Sequence, residues 1–297
     1  MSKFSKLVKA LEHLEQKKNG VIFATDSYYD EQCIKNFIVY PDYKAIEKSM
    51  SDSTNHYFYE IFRIDQRCSF IQDVDVKDEE GLENPEGRLS NVVEETTRCL
   101  REYMSMQNVK DIEVKTIIME SPKTPTKASY HIVYRISDKN GCNYYFSSLN
   151  VGCKNFYEFM TINKSVNLLG VDSIYTKNRC LRILNSSKIQ HPDNKLFLHP
   201  TSAPVDNVLE TLGTYIEPQS SDKLIHNVTV KRSKKNVKSN IVIESLPSND
   251  VVDNLLLCLK PEWAADFHLW NKLGILLYNI YNGDKIGLEK WDKFSQK

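Results

Sequence analysis

The sequence predicts an α+β fold: one sheet of β-α-β-β-α-β order with an N-terminal α/β extension and a C-terminal helical appendage. Three observations carry that expectation. Residues 68–76 read as a strand, largely apolar until a D-x-D triplet near its end. Residues 89–106 place Val92, Val93, Thr96, Cys99, Leu100 and Tyr103 on one face of a helix. Residues 113–119 and 129–136 are two further strand-like runs, separated by the Pro-containing loop 121–127.

In chain order, a first helix spans residues 5–17, with Leu7, Leu11 and Leu14 at helical spacing. An irregular region rich in Tyr and Asp follows, leading to a strand at 56–62. After the central elements come a helix at 154–167 and a last strand at 179–184. That order is the split βαβ of ferredoxin-like and RNA-recognition-motif folds, in which the first and third strands are central neighbours. Beyond Pro218 the character changes. Residues 223–243 hold no acidic side chain and concentrate Lys231, Arg232, Lys234, Lys235 and Lys238, as a basic linker or strand pair would. Helices are expected at 249–258, 268–281 and 288–294. The organisation is therefore a core at 1–220, a basic linker at 221–243 and a helical module at 244–297, read as a segment of a longer chain.

Bulk properties narrow the classes. With 297 residues and 41% hydrophobic content, the chain can bury one sizeable core plus a small appendage. Its 39 basic and 39 acidic side chains balance, so any nucleic-acid contact must come from local clustering. Seven cysteines form no C-x-x-C pair, which points to reduced thiols of an intracellular protein, with neither a disulfide framework nor structural zinc in this segment. No run approaches a membrane span, and Met1-Ser-Lys-Phe-Ser-Lys lacks a secretory apolar stretch.

The chemistry-bearing residues fall in three blocks. In Phe70-Ile-Gln-Asp73-Val-Asp75-Val, the two aspartates project from one face of a strand. Their mutual repulsion is normally offset by cations, and two metals about 3.5–4 Å apart suit in-line phosphoryl transfer. The plainer alternative is a strand end with two solvated acids. In Lys127-Ala-Ser129-Tyr-His131-Ile-Val-Tyr-Arg135, Ser129 and His131 share one strand face. In the inferred sheet they sit beside Asp73 and Asp75, about one strand spacing of 4.8 Å away, suited to triphosphate oxygens; otherwise this is a polar face turned to water. In the third block Asp172 is followed by Lys177, Arg179, Arg182 and Lys188. The acid could be a third metal ligand and the cations could take phosphates. Taken alone, the block reads rather as a solvated basic hairpin.

These blocks, in this order, resemble the archaeo-eukaryotic primase superfamily, with its acidic D-x-D or D-x-E, S-x-H and Asp-to-Arg motifs. Asp172 to Lys188, with Tyr-Thr-Lys-Asn-Arg-x-x-Arg and Ser-Ser-Lys, is similar to eukaryotic primase-polymerases. Asp75, where those relatives carry Glu, turns the likeness toward the N-terminal primase domains of primase-helicases from large nucleocytoplasmic DNA viruses. Trp270-Asn-Lys-Leu-Gly and Trp291-Asp-Lys-Phe-Ser resemble the helical module after such cores.

The resemblance covers roughly residues 59–188. It implies a primase catalytic core of RNA-recognition-motif type, with Asp73, Asp75 and Asp172 as carboxylates for Mg²⁺ or Mn²⁺. Ser129 and His131 would contact the incoming nucleoside triphosphate, assisted by Lys127, Arg179, Arg182 and Lys188, with Tyr59 near the sugar. The implied partners are a single-stranded DNA template and a helicase domain on the same full-length chain. The implied setting is viral DNA replication in the host cytoplasm or nucleus. No G-x-x-x-x-G-K-[ST] occurs, so this segment predicts no ATP-driven unwinding.

Two rivals stand against primer synthesis. A D-x-D glycosyltransferase explains Asp73 and Asp75 but leaves Ser129, His131 and the Arg179–Lys188 block idle. A catalytically inactive nucleic-acid-binding module predicts exposed aromatics on the central strands, where this chain carries Asp, Ser and His.

Overall fold

The chain divides into a two-sheet α+β unit, Met1–Ser233, and a helical unit, Lys234–Lys297. This computed structural model describes residues 1–52, 56–163, 168, 170–217, 222–229, 248–281 and 283–296.

The first unit opens with β1 (Ser2–Phe4), α1 (Leu7–Lys17), β2 (Val21–Tyr29), β3 (Gln32–Tyr40), α2 (Tyr43–Ser51) and β4 (Phe58–Phe62). The region expected to be irregular is thus a regular β2–β3 hairpin, paired from Val21↔Tyr40 to Tyr29↔Gln32. The reason is that this sheet is covered on both faces. Ala10 and Leu14 of α1 pack with Ile22, Ala24, Val39, Tyr59 and Ile61 on one side. Ile46 and Met50 of α2 pack with Phe23, Ile38, Tyr40 and Phe58 on the other. Strands buried on both faces lose the two-residue alternation that reveals them in sequence. The turn also hides itself: Asp30 and Glu31 both take positive φ (48° and 61°), as a two-residue hairpin needs, without the usual glycine.

The second sheet is built from β5 (Phe70–Val76), β6 (Ile112–Glu120), β7 (Ala128–Asp138) and β8 (Asn143–Phe146). Between β5 and β6 run α3 (Glu79–Glu83) and α4 (Pro85–Ser105); α5 (Lys154–Glu158) follows β8 between two short π-helical turns. The central strand is β7, with β6 on one edge and β5, then β8, on the other. Leu89, Val92, Cys99, Leu100 and Tyr103 of α4 enter one core with Phe70, Val74, Tyr130, Ile132 and Tyr134. Gln72 lies in that core fully satisfied, donating to Thr96 and accepting from Tyr134. Of the helix expected at 154–167, residues 164–167 lie outside the described residues.

The expected last strand does not join this sheet. Instead β9 (Arg179–Arg182) pairs antiparallel with β4, from Tyr59↔Arg182 to Phe62↔Arg179. The outer edge of β5 is taken at Val74 by a bridge to Val171, which leaves the later residues to complete the first sheet. The resulting order there is β1-β3-β2-β4-β9. The second sheet is extended by β10 (Phe197–Leu198) on β6 and β11 (Lys223–Ile225) on β8. Lys231, Arg232, Lys234, Lys235 and Lys238 lie outside the described residues.

A strap at residues 208–215 ties the two sheets. Arg135 of β7 donates to the carbonyls of Glu210 and Leu212 at 2.8 and 2.9 Å. From the other sheet, Glu60 of β4 accepts from the backbone of Gly213 and Thr214 and from the Thr214 hydroxyl.

The helical unit holds α6 (Asn249–Cys258), α7 (Glu262–Ala265), α8 (Phe267–Ile280) and α9 (Lys285–Ser295). Val252, Leu273, Leu277 and Phe294 form its core. The Trp270 and Trp291 rings lie 4.3 Å apart, and Trp291 Nε1 donates to the Trp270 carbonyl. Among the described residues, no helix is long and apolar enough to cross a membrane.

Candidate active site

The β5–β7 register sets Asp73 opposite His131 and Asp75 opposite Ser129. Alternation then puts all four side chains on the face away from α4. The third acid arrives along the free edge of β5. Asp75 N–H donates to the Gly170 carbonyl at 2.7 Å and Asp172 N–H donates to the Asp73 carbonyl at 2.9 Å. Gly170 makes that approach possible, because its φ is +85° and a Cβ there would lie 3.0 Å from the Asp75 carbonyl oxygen. Asp172 is thereby fixed beside Asp73 from nearly a hundred residues away in sequence.

The two strand aspartates live in different electrostatic surroundings. Burial raises the Asp75 carboxyl, but hydrogen bonds from Lys127, Ser129 and Lys77 outweigh it and hold the group at about 2. Lys127 Nζ lies 2.8 Å and Lys77 Nζ 3.0 Å from Asp75 Oδ2, while Ser129 Oγ donates to Oδ1 at 2.6 Å. Asp73 is raised instead, by burial and by the nearby Asp75 and Asp172 charges, against the lowering effect of His131 and Lys127. The His131 ring faces it, with Nε2 3.6 Å from Asp73 Oδ1.

His131 is oriented by the other sheet. Its Nδ1 lies 3.2 Å from the Arg182 carbonyl, which can only accept, so the proton sits on Nδ1 and Nε2 faces Asp73. Burial lowers the imidazole below its ordinary value, with Asp73 opposing and Arg182 assisting. Arg182 itself donates to the Asn194 carbonyl at 2.8 Å, and its charge is felt by Asp73, Asp75 and Tyr59.

The structure thus brings together Asp73, Asp75, Asp172, Lys127, Ser129, His131 and Arg182. Tyr59 is buried beside Arg182 in register, its hydroxyl on Asp26 and its ring under Lys35. Arg179 turns back to the carbonyls of Ile174 and Ser173, behind Asp172. Lys188 is exposed on a turn closed by a bridge to His191, and among the described residues no contact joins it to the carboxylates.

Two features escaped the sequence. Lys77 touches Asp75, and the only hint was a lysine two residues beyond the D-x-D triplet. Glu86, Glu120 and His199 converge on the far face of the sheet, with ligand atoms within 4.8 Å of one another. Nothing in their spacing announces this, since they come from α4, β6 and the loop after β10. That donor set could hold a metal ion, but Lys123 pairs with Glu86 and already supplies a positive charge there. His199 Nε2 lies 2.8 Å from Glu86.

Asp75 and Asp172 both act on the Asp73 carboxyl by charge, and a hard divalent cation is the natural counter-charge for such oxygens, although among the described residues the acid and imidazole atoms that all lie within 4.8 Å of one another are those of Glu86, Glu120 and His199. Scanned against protein-family models, the chain matches none, and a search of curated proteins likewise returns no match.

Proposed function

We propose that this chain is a primase-type nucleotidyltransferase that builds primers on single-stranded DNA, using Mg²⁺ or Mn²⁺ held by Asp73, Asp75 and Asp172. The single observation that carries this reading is the register Asp73↔His131 and Asp75↔Ser129, with Asp172 hydrogen-bonded along the open edge of the same strand. Three acids grouped with a Ser, a His, a Lys and an Arg are a poor recipe for stability and a good one for handling a metal triphosphate.

Bound metal would lower the pKa of the attacking 3′-hydroxyl and neutralise the departing pyrophosphate. The residues divide the remaining tasks. Asp73, Asp75 and Asp172 supply the oxygen ligands, and Ser129 fixes the Asp75 carboxylate through its hydroxyl. Lys127 and Arg182 offer charge to the triphosphate, and Lys188, exposed on its turn, is the outlying cation of the set. His131, held by the Arg182 carbonyl, presents Nε2 beside Asp73, and on taking a proton there would donate to a phosphate oxygen.

In this proposal the core at 1–220 is a primase catalytic domain of RNA-recognition-motif type. Its sheet has lost the last strand to the neighbouring sheet. Residues 244–297 are its helical module, and a helicase domain belongs to the same full-length chain, acting in viral DNA replication.

Primer synthesis on single-stranded DNA with labelled nucleotides and Mg²⁺ or Mn²⁺ tests the proposal. Wild-type protein is expected to make product. Asp73→Ala/Asp75→Ala is expected to lose at least about 10³-fold, the scale of removing a preorganised transition-state contact. Undiminished synthesis by the double variant overturns it.

A further inference from the structure

Asp75 does not present a free face to an arriving metal. Its Oδ2 is shared by two ammonium groups, Lys127 at 2.8 Å and Lys77 at 3.0 Å, and its Oδ1 accepts from Ser129 at 2.6 Å. Among the described residues, no ammonium or guanidinium lies within ion-pair distance of Asp73, two residues earlier on the same face; the His131 ring stands 3.6 Å away. The two lysines have different origins. Lys127 enters from the loop before β7, whereas Lys77 follows β5 directly and its side chain is 59% exposed. Lys77 is therefore free to swing away from the carboxylate at little packing cost.

A bare divalent cation meets two obstacles here. To reach Oδ2 it must displace at least one ammonium, and at either oxygen it is repelled by both. A metal carried on a triphosphate meets neither in full, because the phosphate oxygens give the displaced ammonium groups a new partner within a few ångströms. We propose that Lys77 and Lys127 form an exchangeable counter-ion pair on Asp75. The divalent ion is then admitted together with the nucleoside triphosphate rather than ahead of it, and Lys77 becomes a phosphate-binding residue of the site. The inference rests on the metal-dependent reading above and adds an order of binding and a further residue to it.

The lysine pair makes two effects of opposite sign inseparable. Removing Lys77 frees Asp75 for bare metal, yet takes a partner from the metal-bound triphosphate. A lysine with a merely structural role would not produce both.

The test measures two affinities on the full chain. Binding of bare Mn²⁺ is followed by the electron paramagnetic resonance of the free ion. Binding of preformed Mn²⁺ complex is followed with a deoxynucleoside triphosphate bearing a methylene bridge between its α and β phosphorus atoms. Lys77→Ala is expected to bind bare Mn²⁺ about fivefold more tightly and the Mn²⁺–analogue complex about fivefold more weakly, the scale of one partly exposed ion pair. Lys77→Arg keeps the charge and is expected to return both values toward wild type. Unchanged or weaker bare Mn²⁺ binding in Lys77→Ala overturns the inference, as does unchanged binding of the complex. Asp75→Asn separates the two levels of the proposal. If it loses Mn²⁺ while Lys77→Ala behaves as wild type, the counter-ion exchange fails and the metal site stands. If Asp75→Asn binds Mn²⁺ as wild type does, the metal site fails and the exchange with it.

Discussion

Two places in the first unit gather charged side chains, and they treat them in opposite ways. At the strap, Arg135 is buried and donates to the carbonyls of Glu210, Leu212, Leu209 and Tyr215. Glu60, equally buried, accepts from Gly213 and from both the backbone and hydroxyl of Thr214. Opposite charges there are enclosed by donors and acceptors of the same strap. At the acidic face, like charges are brought together instead, and Asp73 is left with less compensation than Asp75. The difference teaches where each region's free energy goes. A buried charge with all its partners holds elements together, whereas carboxylates held in mutual repulsion are useful only if something positive binds them.

The comparison breaks most visibly at Arg135. Its guanidinium bonds four carbonyls of one strap, and Glu60 feels its charge from the opposite sheet. Arg135→Met keeps the volume and removes every donor, leaving those buried carbonyls unpaired. A loss of about 3–5 kcal/mol is expected, as for breaking a buried ionic network. A urea titration monitored by near-ultraviolet tyrosine absorbance and circular dichroism together would show it. A loss below about 1 kcal/mol would mean the strap is held by Leu209 and Leu212 packing alone.

Glu60 provides the next largest effect, through pH. Burial raises its carboxyl to about 7 from an ordinary 4.5, against the hydrogen bonds of Thr214 and Gly213 and the charge of Arg135. Below pH 4.5 the group is protonated in both folded and unfolded chains and contributes no difference. Between 4.5 and 7 the unfolded chain gives up its proton first, so the folded form binds more protons and stability falls as pH rises. Above 7 the slope from this group vanishes, with about 3 kcal/mol lost in total. Glu60→Gln cannot titrate. The stability difference between wild type and variant, measured from pH 4 to pH 8, is expected to shift by that amount in favour of the variant. A pH-independent difference would show that the carboxylate is fully offset by Arg135 and its donors.

How far these two regions could be read beforehand follows from the same physics. The acidic face was legible because strands advertise themselves locally. Alternation in β5 and β7 fixes which side chains share a face, and the element order makes the two strands neighbours. The strap was illegible because its partners are unremarkable in sequence. Arg135 reads as one more polar residue of a strand, and its acceptors are backbone carbonyls some 75 residues onward. The β2–β3 hairpin was missed for a related reason: helices on both faces erase the alternation, and its turn runs through Asp30 and Glu31 without glycine. The destination of β9 was misjudged because four residues carry no record of their partner. Val171 occupying the β5 edge decides it, and that contact depends on the backbone of Gly170.

The smallest expected effect lies within the acidic face itself, between two residues two positions apart on one strand. Asp73→Asn removes a carboxylate that is pushed up by burial and by its acidic neighbours, so the folded protein loses repulsion. Asp75→Asn removes the partner of Lys77 and Lys127, so the folded protein loses attraction. In buffer containing a chelator at pH 7.5, Asp73→Asn is expected to be neutral or to stabilise by up to about 1 kcal/mol. Asp75→Asn is expected to destabilise by a similar amount, the range of partly exposed ion pairs. Thermal midpoints of the two variants should therefore fall on opposite sides of wild type. Equal shifts in one direction would show that the pair acts as a single electrostatic unit. The contrast between a paired and an unpaired aspartate would then have to be abandoned, while an ordering as stated marks Asp73 as the position with the most to gain from a bound cation.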